Sequence, residues 1–219
     1  MSERMDPFSD PQAVARYAEG APRNVPGYHA MQRMTTLLLA ERVPDDGRVL
    51  VLGAGGGLEL KVFAEAHPNW AFDGVDPSAE MLKLAQRTLG PLASRAPLHQ
   101  GYVEDAPIGP FDAATCLLTL HFLSLDERQR TTAEVHRRLK PGAPFVVAQF
   151  CIPQGDARAV WLSRYATYAG IDPDQAAAID SHLTILSPEQ DEAILREAGF
   201  SNVSLFYAGF TFRGWVGYA

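Results

Sequence analysis

The ten residues Arg48-Val49-Leu50-Val51-Leu52-Gly53-Ala54-Gly55-Gly56-Gly57 put an apolar run directly before a cluster of glycines. Such a run suits a parallel strand buried on both faces, and the glycines let the backbone turn tightly and approach a ligand closely. About twenty residues on, Gly74-Val75-Asp76 closes a second apolar run with an acid that can accept both hydroxyls of a ribose. Strand, glycine loop, helix, strand and acid together read as a cradle for a nucleoside cofactor. Gly53, Ala54, Gly55 and Gly57 would face the ligand, and Asp76 would hold the ribose. The dinucleotide fingerprint G-x-G-x-x-G wants its third glycine at position 58, where this chain has Leu58. Asp76 has a second reading as the N-cap of the next helix, with Pro77 at the first helical position, but its distance from the glycines favours the ribose. Glu59, in the first turn after the loop, reads as a solvated partner of the helix dipole.

The length of 219 residues and an apolar content of 47 % fit one α/β domain over residues 1–219. Residues 1–45 form its N-terminal helical cap, and residues 153–186 form a helical insertion over the carboxyl ends of the strands. The net charge of −7 offers no attraction to phosphate backbones, and Arg137, Arg138 and Lys140 read as complements to a helix dipole. A small-molecule partner is therefore favoured over DNA or RNA. Met1 to Pro11 lacks a charged start followed by an apolar run, and no stretch approaches membrane-spanning length, so a cytoplasmic location without a membrane is expected. Cys116 and Cys151 sit in apolar contexts with no metal-ligand spacing and read as buried free thiols; no metal is expected.

Periodicity supplies the remaining elements. A helix over about His29 to Arg42 precedes the first strand and stops at Pro44. Leu58 to Ala66 reads as a helix, Trp70 to Val75 as the second strand, and Ser78 to Leu89 as the next helix, ended by Gly90-Pro91. Strands follow near Leu98 to Gly101 and Phe111 to Leu118. A helix over Asp126 to Leu139 leads to a fifth strand over Phe145 to Phe150. Ser187-Pro188-Glu189-Gln190 is a capping box that opens a further helix. Asn202 to Tyr207 and Phe210 to Val216, with only Ala208-Gly209 between them, must pair as an antiparallel hairpin. The sum is a Rossmann-like α/β fold: seven strands, mostly parallel, with helices on both faces and a C-terminal antiparallel hairpin.

The spacing Gly53-x-Gly55-x-Gly57, with that hairpin, resembles the class I S-adenosylmethionine (SAM) methyltransferases, whose loop faces the amino-acid end of SAM. Asn24-Val25-Pro26-Gly27-Tyr28 and Leu118-Thr119-Leu120-His121-Phe122-Leu123 are similar to the carboxy-SAM synthase family in particular. Asp126-Glu127-Arg128-Gln129, Leu139-Lys140-Pro141-Gly142 and Ala198-Gly199-Phe200 extend the likeness over most of the chain from residue 23. The resemblance implies SAM as cofactor, S-adenosylhomocysteine as product, a homodimer, and a contact from Tyr28 to the amino-acid end of SAM. Packing of Tyr28 at a helix start is the alternative.

The chain also departs from that family. The family holds the extra carboxylate of carboxy-SAM with an arginine before the last helix, whereas Ile171 to Pro188 contains neither Arg nor Lys. A bound carboxylate would lose a charged hydrogen bond worth about 1.5 to 3 kcal/mol. Leu117 replaces the family's asparagine in the fourth-strand motif, and Tyr102 replaces its acid after the third strand. Adenine contacts would then come from the backbone near Tyr102, Val103 and Leu117, with Glu104 or Asp105 as partners for the exocyclic amine.

Methyl transfer from a sulfonium needs chiefly in-line placement of the nucleophile, so no loud catalytic constellation is expected. If the acceptor must lose a proton, His29 and His121 are the candidate bases. Trp161, Tyr165 and Tyr168 read either as an aromatic acceptor pocket or as one packed helix face. The expected function is methyl transfer to a small molecule; the alternatives are a carboxy-SAM synthase-like enzyme and a SAM-binding protein without catalysis.

Overall fold

The chain alternates strands and helices as its apolar runs require, and a computed structural model describes Val14 and residues 20–219. The remaining residues of the expected N-terminal cap lie outside that range. Within it, residues 20–24 are helical and α1 spans Tyr28–Ala40. There follow β1 (Arg48–Leu52), α2 (Leu58–Ala66), β2 (Ala71–Asp76), α3 (Ala79–Leu89), β3 (Leu98–Gln100), β4 (Ala113–Leu117), α4 (Leu125–Arg138) and β5 (Pro144–Phe150). The insertion supplies α5 (Ala157–Ala169) and α6 (Pro173–His182), and α7 (Pro188–Glu197), β6 (Ser201–Gly209) and β7 (Phe212–Tyr218) complete the chain.

The seven strands form one sheet in the order β3-β2-β1-β4-β5-β7-β6. Strands β1 to β5 pair in parallel, while β7 runs antiparallel to both β5 and β6. Alternate strand residues feed two cores. Val49, Val51, Ala113 and Val146 meet Leu39, Leu60 and Phe63 on one face; Leu50, Leu52, Ala114 and Cys116 meet Val135, Leu195 and Trp215 on the other. Because β1, β2, β3, β4 and β5 are parallel, the loops leaving them share one edge, where ligands of such sheets bind.

Two local expectations change. The hairpin turns at Phe210 and Thr211, not at Ala208 and Gly209, which pair with Arg213 and Phe212. Gly209 pairs with Phe212 in the strand, where a β-carbon would run into the Tyr207 hydroxyl, and the left-handed turn conformation falls on Phe210 (φ 57°). Helix α3 is capped by Ser78, whose Oγ accepts from the Met81 N–H at 3.2 Å, so Asp76 is not its N-cap. Among the described residues no helix is long and apolar enough to cross a membrane.

Candidate cofactor and acceptor site

The glycine loop is held in a shape that side chains would spoil. Gly53, Gly55 and Gly57 have φ of 67°, 49° and 77°. A β-carbon on Gly53 would strike the Thr119 side chain, and one on Gly57 would lie 2.9 Å from Ala85 Cα on α3. The loop thus packs against the residues after β4 on one side and against α3 on the other. The Ala54 N–H bonds to the Val75 carbonyl at 3.0 Å, carrying the β1–β2 register past the strand end.

Asp76 ends β2 beside this loop and is 8 % exposed. Its Oδ2 accepts from the Gly55 N–H and its Oδ1 from the Ser78 N–H, each at 2.9 Å. A carboxylate offers about four acceptor positions, so one such group can both hold a loop and accept from a ribose. The Gly101 N–H bonds to the Asp76 carbonyl at 3.1 Å, which brings the turn after β3 alongside. There Tyr102 is exposed and Val103 buried. Asp105 Oδ2 accepts from the Tyr102 N–H at 2.9 Å, so Asp105 serves its own turn and Glu104 is the other exposed acid. Leu117 is buried at the end of β4, and Leu118 after it adopts φ 59°, a strained conformation for a branched residue. These features make a backbone-lined loop above β1, buried except at Gly53, with an acid at its rim, a chemistry that fits the amino-acid and ribose parts of SAM.

Tyr28 is buried in the first core, with its ring edge-on to His29 at 5.5 Å between centroids. His29 is exposed. The Tyr207 hydroxyl donates to the Pro26 carbonyl, so the hairpin pins the turn that presents Tyr28. No sequence signal marked Tyr207, because the two partners are 181 residues apart.

His121 is buried, and its Nδ1 accepts from the Phe150 N–H at 3.3 Å. Burial, helped by the nearby Arg128 charge, pushes its pKa down to about 3, so the ring is neutral at physiological pH. Arg128 on α4 clamps this region, donating to the Leu120 carbonyl (3.1 Å), the Thr184 carbonyl and the Asp191 carboxylate. The Thr184 N–H in turn bonds to the His121 carbonyl at 2.8 Å, tying the end of the insertion to the loop after β4.

The aromatic residues of α5 divide. Tyr165 is buried edge-on against Phe150 and Phe212, which is the packed-face arrangement. Trp161 and Tyr168 both lean on Phe210 at the hairpin tip, with centroid separations of 5.7 and 5.6 Å. Tyr168 is 46 % exposed. The insertion springs from the carboxyl end of β5, and Cys151 bridges to Leu186 where it returns, so it is rooted at the cofactor edge of the sheet. Glu59 differs from its solvated reading: it is 8 % exposed and its Oε1 accepts from Thr115 Oγ1 at 3.0 Å.

Residues 49–142 match the methyltransferase domain family. The carboxy-SAM synthase of Chromohalobacter salexigens is 26 % identical over 99 % of this chain and 85 % of its own, and that of Actinobacillus succinogenes is 26 % identical over 96 % and 92 %. Among solved structures, a candidate O-methyltransferase from Nostoc punctiforme superposes with a TM-score of 0.69 at 22 % identity, covering 94 % of this chain; the chain spans 60 % of that protein's length. A SAM-dependent methyltransferase from Aquifex aeolicus gives a TM-score of 0.67 at 16 % identity over 95 % of this chain and 98 % of its own. With a glycine loop, an acid at the end of β2 and a reversed β7 in one sheet, the chain carries a class I SAM-dependent methyltransferase domain over residues 49–142.

Proposed function

We propose that the protein transfers the methyl group of SAM to a neutral, partly aromatic small molecule in the cytoplasm. Bound SAM supplies a methyl group already activated on a positive sulfonium. The observation that carries this reading is the convergence of the glycine loop, Asp76 and the Leu117–Thr119 turn at the strand edge from which the aromatic insertion rises. In this reading Gly53, Ala54, Gly55 and Gly57 receive the amino-acid end, Asp76 the ribose, and the Tyr102–Val103 and Leu117 backbone the adenine. Tyr28 closes over the methionine end. Trp161 and Tyr168, with Phe210, form the acceptor wall, whose ring faces suit a sulfonium as well as a flat substrate. As the acceptor's lone pair forms its bond to carbon, the carbon–sulfur bond breaks and its electrons stay on sulfur. The acceptor's proton passes to a base, a role for which the exposed ring of His29 is better suited than the buried ring of His121. The chain acts as one domain and as a homodimer.

A second reading, synthesis of carboxy-SAM, is favoured by the names of the two relatives. It needs a cation for the new carboxylate. The cations near the insertion are already engaged: Arg164 lies over the Trp161 ring at 4.9 Å, Arg213 donates to the Phe210 and Phe212 carbonyls, and Arg158 pairs with Asp180. The separating experiment is incubation with SAM and either prephenate, the carboxylate donor the family resemblance implies, or a panel of phenolic and amine acceptors, with products read by mass spectrometry. A methylated acceptor with S-adenosylhomocysteine is expected. Carboxy-SAM formed at a catalytic rate overturns the proposal, and ligand binding with no product in either arm leaves the non-catalytic alternative.

A further inference from the structure

Glu59 is an acid in a place where the fold alone would favour an apolar residue. It is the second residue of α2, directly after the glycine loop, and its side chain turns inward to the seam between β1 and β4. Thr115, which donates to it, pairs with Val51, two residues before Gly53. The core on that face of the sheet includes Val49, Val51, Leu60 and Phe63. Burial pushes the Glu59 carboxyl up to about 8, and the Thr115 hydrogen bond offsets only part of that. Such a group lowers stability unless something else uses it, and perturbed acids of this kind gather at functional sites.

The loop's own chemistry identifies what it lacks. Backbone N–H groups can receive a carboxylate, but an ammonium is a donor only and needs an acceptor. Arg48 to Gly57 contains no Asp or Glu, and Asp76 stands at the ribose rim. Resting on the SAM-binding reading above, we propose that Glu59 is the anionic partner of the α-ammonium group of SAM and of its homocysteine product. Without ligand it is the neutral acid bonded to Thr115; with ligand its proton leaves to solvent and the carboxylate faces the ammonium. Cys116 on β4 is the ionisable neighbour that feels this charge, its thiol pushed up by burial first and by Glu59 next. Arg128 acts on that thiol in the opposite sense. His121 stays neutral near pH 7 and contributes no proton.

The test is calorimetric titration of wild type and Glu59→Gln with S-adenosylhomocysteine and with 5′-methylthioadenosine, which shares the nucleoside and lacks the amino acid. The variant keeps a side chain of the same shape that can accept from Thr115. It is expected to bind S-adenosylhomocysteine at least about tenfold more weakly, as for loss of a charged hydrogen bond, and methylthioadenosine unchanged within about twofold. Wild type at pH 7, titrated in buffers of different ionisation heat, should release close to one proton with S-adenosylhomocysteine and none with methylthioadenosine. Unchanged affinity, equal weakening of both ligands, or binding without proton release overturns the assignment. The proton count needs no variant, so poor folding of Glu59→Gln would not leave the question open. Wild type that binds neither nucleoside refutes the SAM reading itself.

Discussion

Asp76 shows how one side chain both builds and serves a site. Its two oxygens hold Gly55 and Ser78 through their N–H groups, so the same carboxylate that would meet a ribose also sets the loop and the start of α3. Asp76→Ala should weaken S-adenosylhomocysteine binding by about 1.5 to 3 kcal/mol while unfolding stays cooperative, as titration calorimetry and a thermal melt would record. His121 makes a different prediction. Its folded pKa of about 3 lies below the usual value of 6.5, so the unfolded chain takes up a proton first as pH falls. The stability it confers is complete above pH 6.5 and is lost on acidification toward pH 3, at about 1.4 kcal/mol per pH unit. Urea denaturation at pH 7 and pH 5 should show wild type losing more stability than His121→Asn. The position of Asp76 beside the loop was legible from spacing, whereas burial of Glu59 was not. A first-turn acid looks solvated until the helix's rotation over the sheet is known, and only the partner at Thr115 reveals it.

At the level of elements, apolar runs were enough to find β1, β2, β4 and β5, because strands covered on both faces leave little room for polar residues. Boundaries moved where a side chain overrode local preference. Ala208-Gly209 has the composition of a turn, yet pairing to Arg213 and Phe212 keeps it in β6, where Gly209 leaves room for the Tyr207 hydroxyl. That same tyrosine joins β6 to the turn before α1 by donating to Pro26. Tyr207→Phe should cost about 0.5 to 1.5 kcal/mol, the usual net worth of one hydrogen bond. Hydrogen exchange across residues 24–34 should rise, and Tyr28 should close less tightly over ligand. Unchanged exchange in that segment would mean that core packing of Tyr28 and Met31 alone fixes the turn. The aromatic face of α5 was legible as a set of rings but not as two groups, since only the hairpin tip distinguishes Tyr165 from Trp161 and Tyr168.

Across the whole molecule, the sheet order sets when the site can exist. Strand β7 follows β6 in the chain, yet it lies between β5 and β6 and not at an edge. During synthesis, β1 to β5 can assemble as soon as they emerge, and their loops already carry the glycines and Asp76. Strand β6 has nothing to pair with until β7 has left the ribosome, and until then Phe210 cannot meet Trp161 and Tyr207 cannot reach Pro26. A nascent chain should therefore acquire its nucleoside cradle well before its acceptor wall, and a message cut short before Phe212 would yield a half-sheet with the exposed flank of β5 open to pairing with other chains.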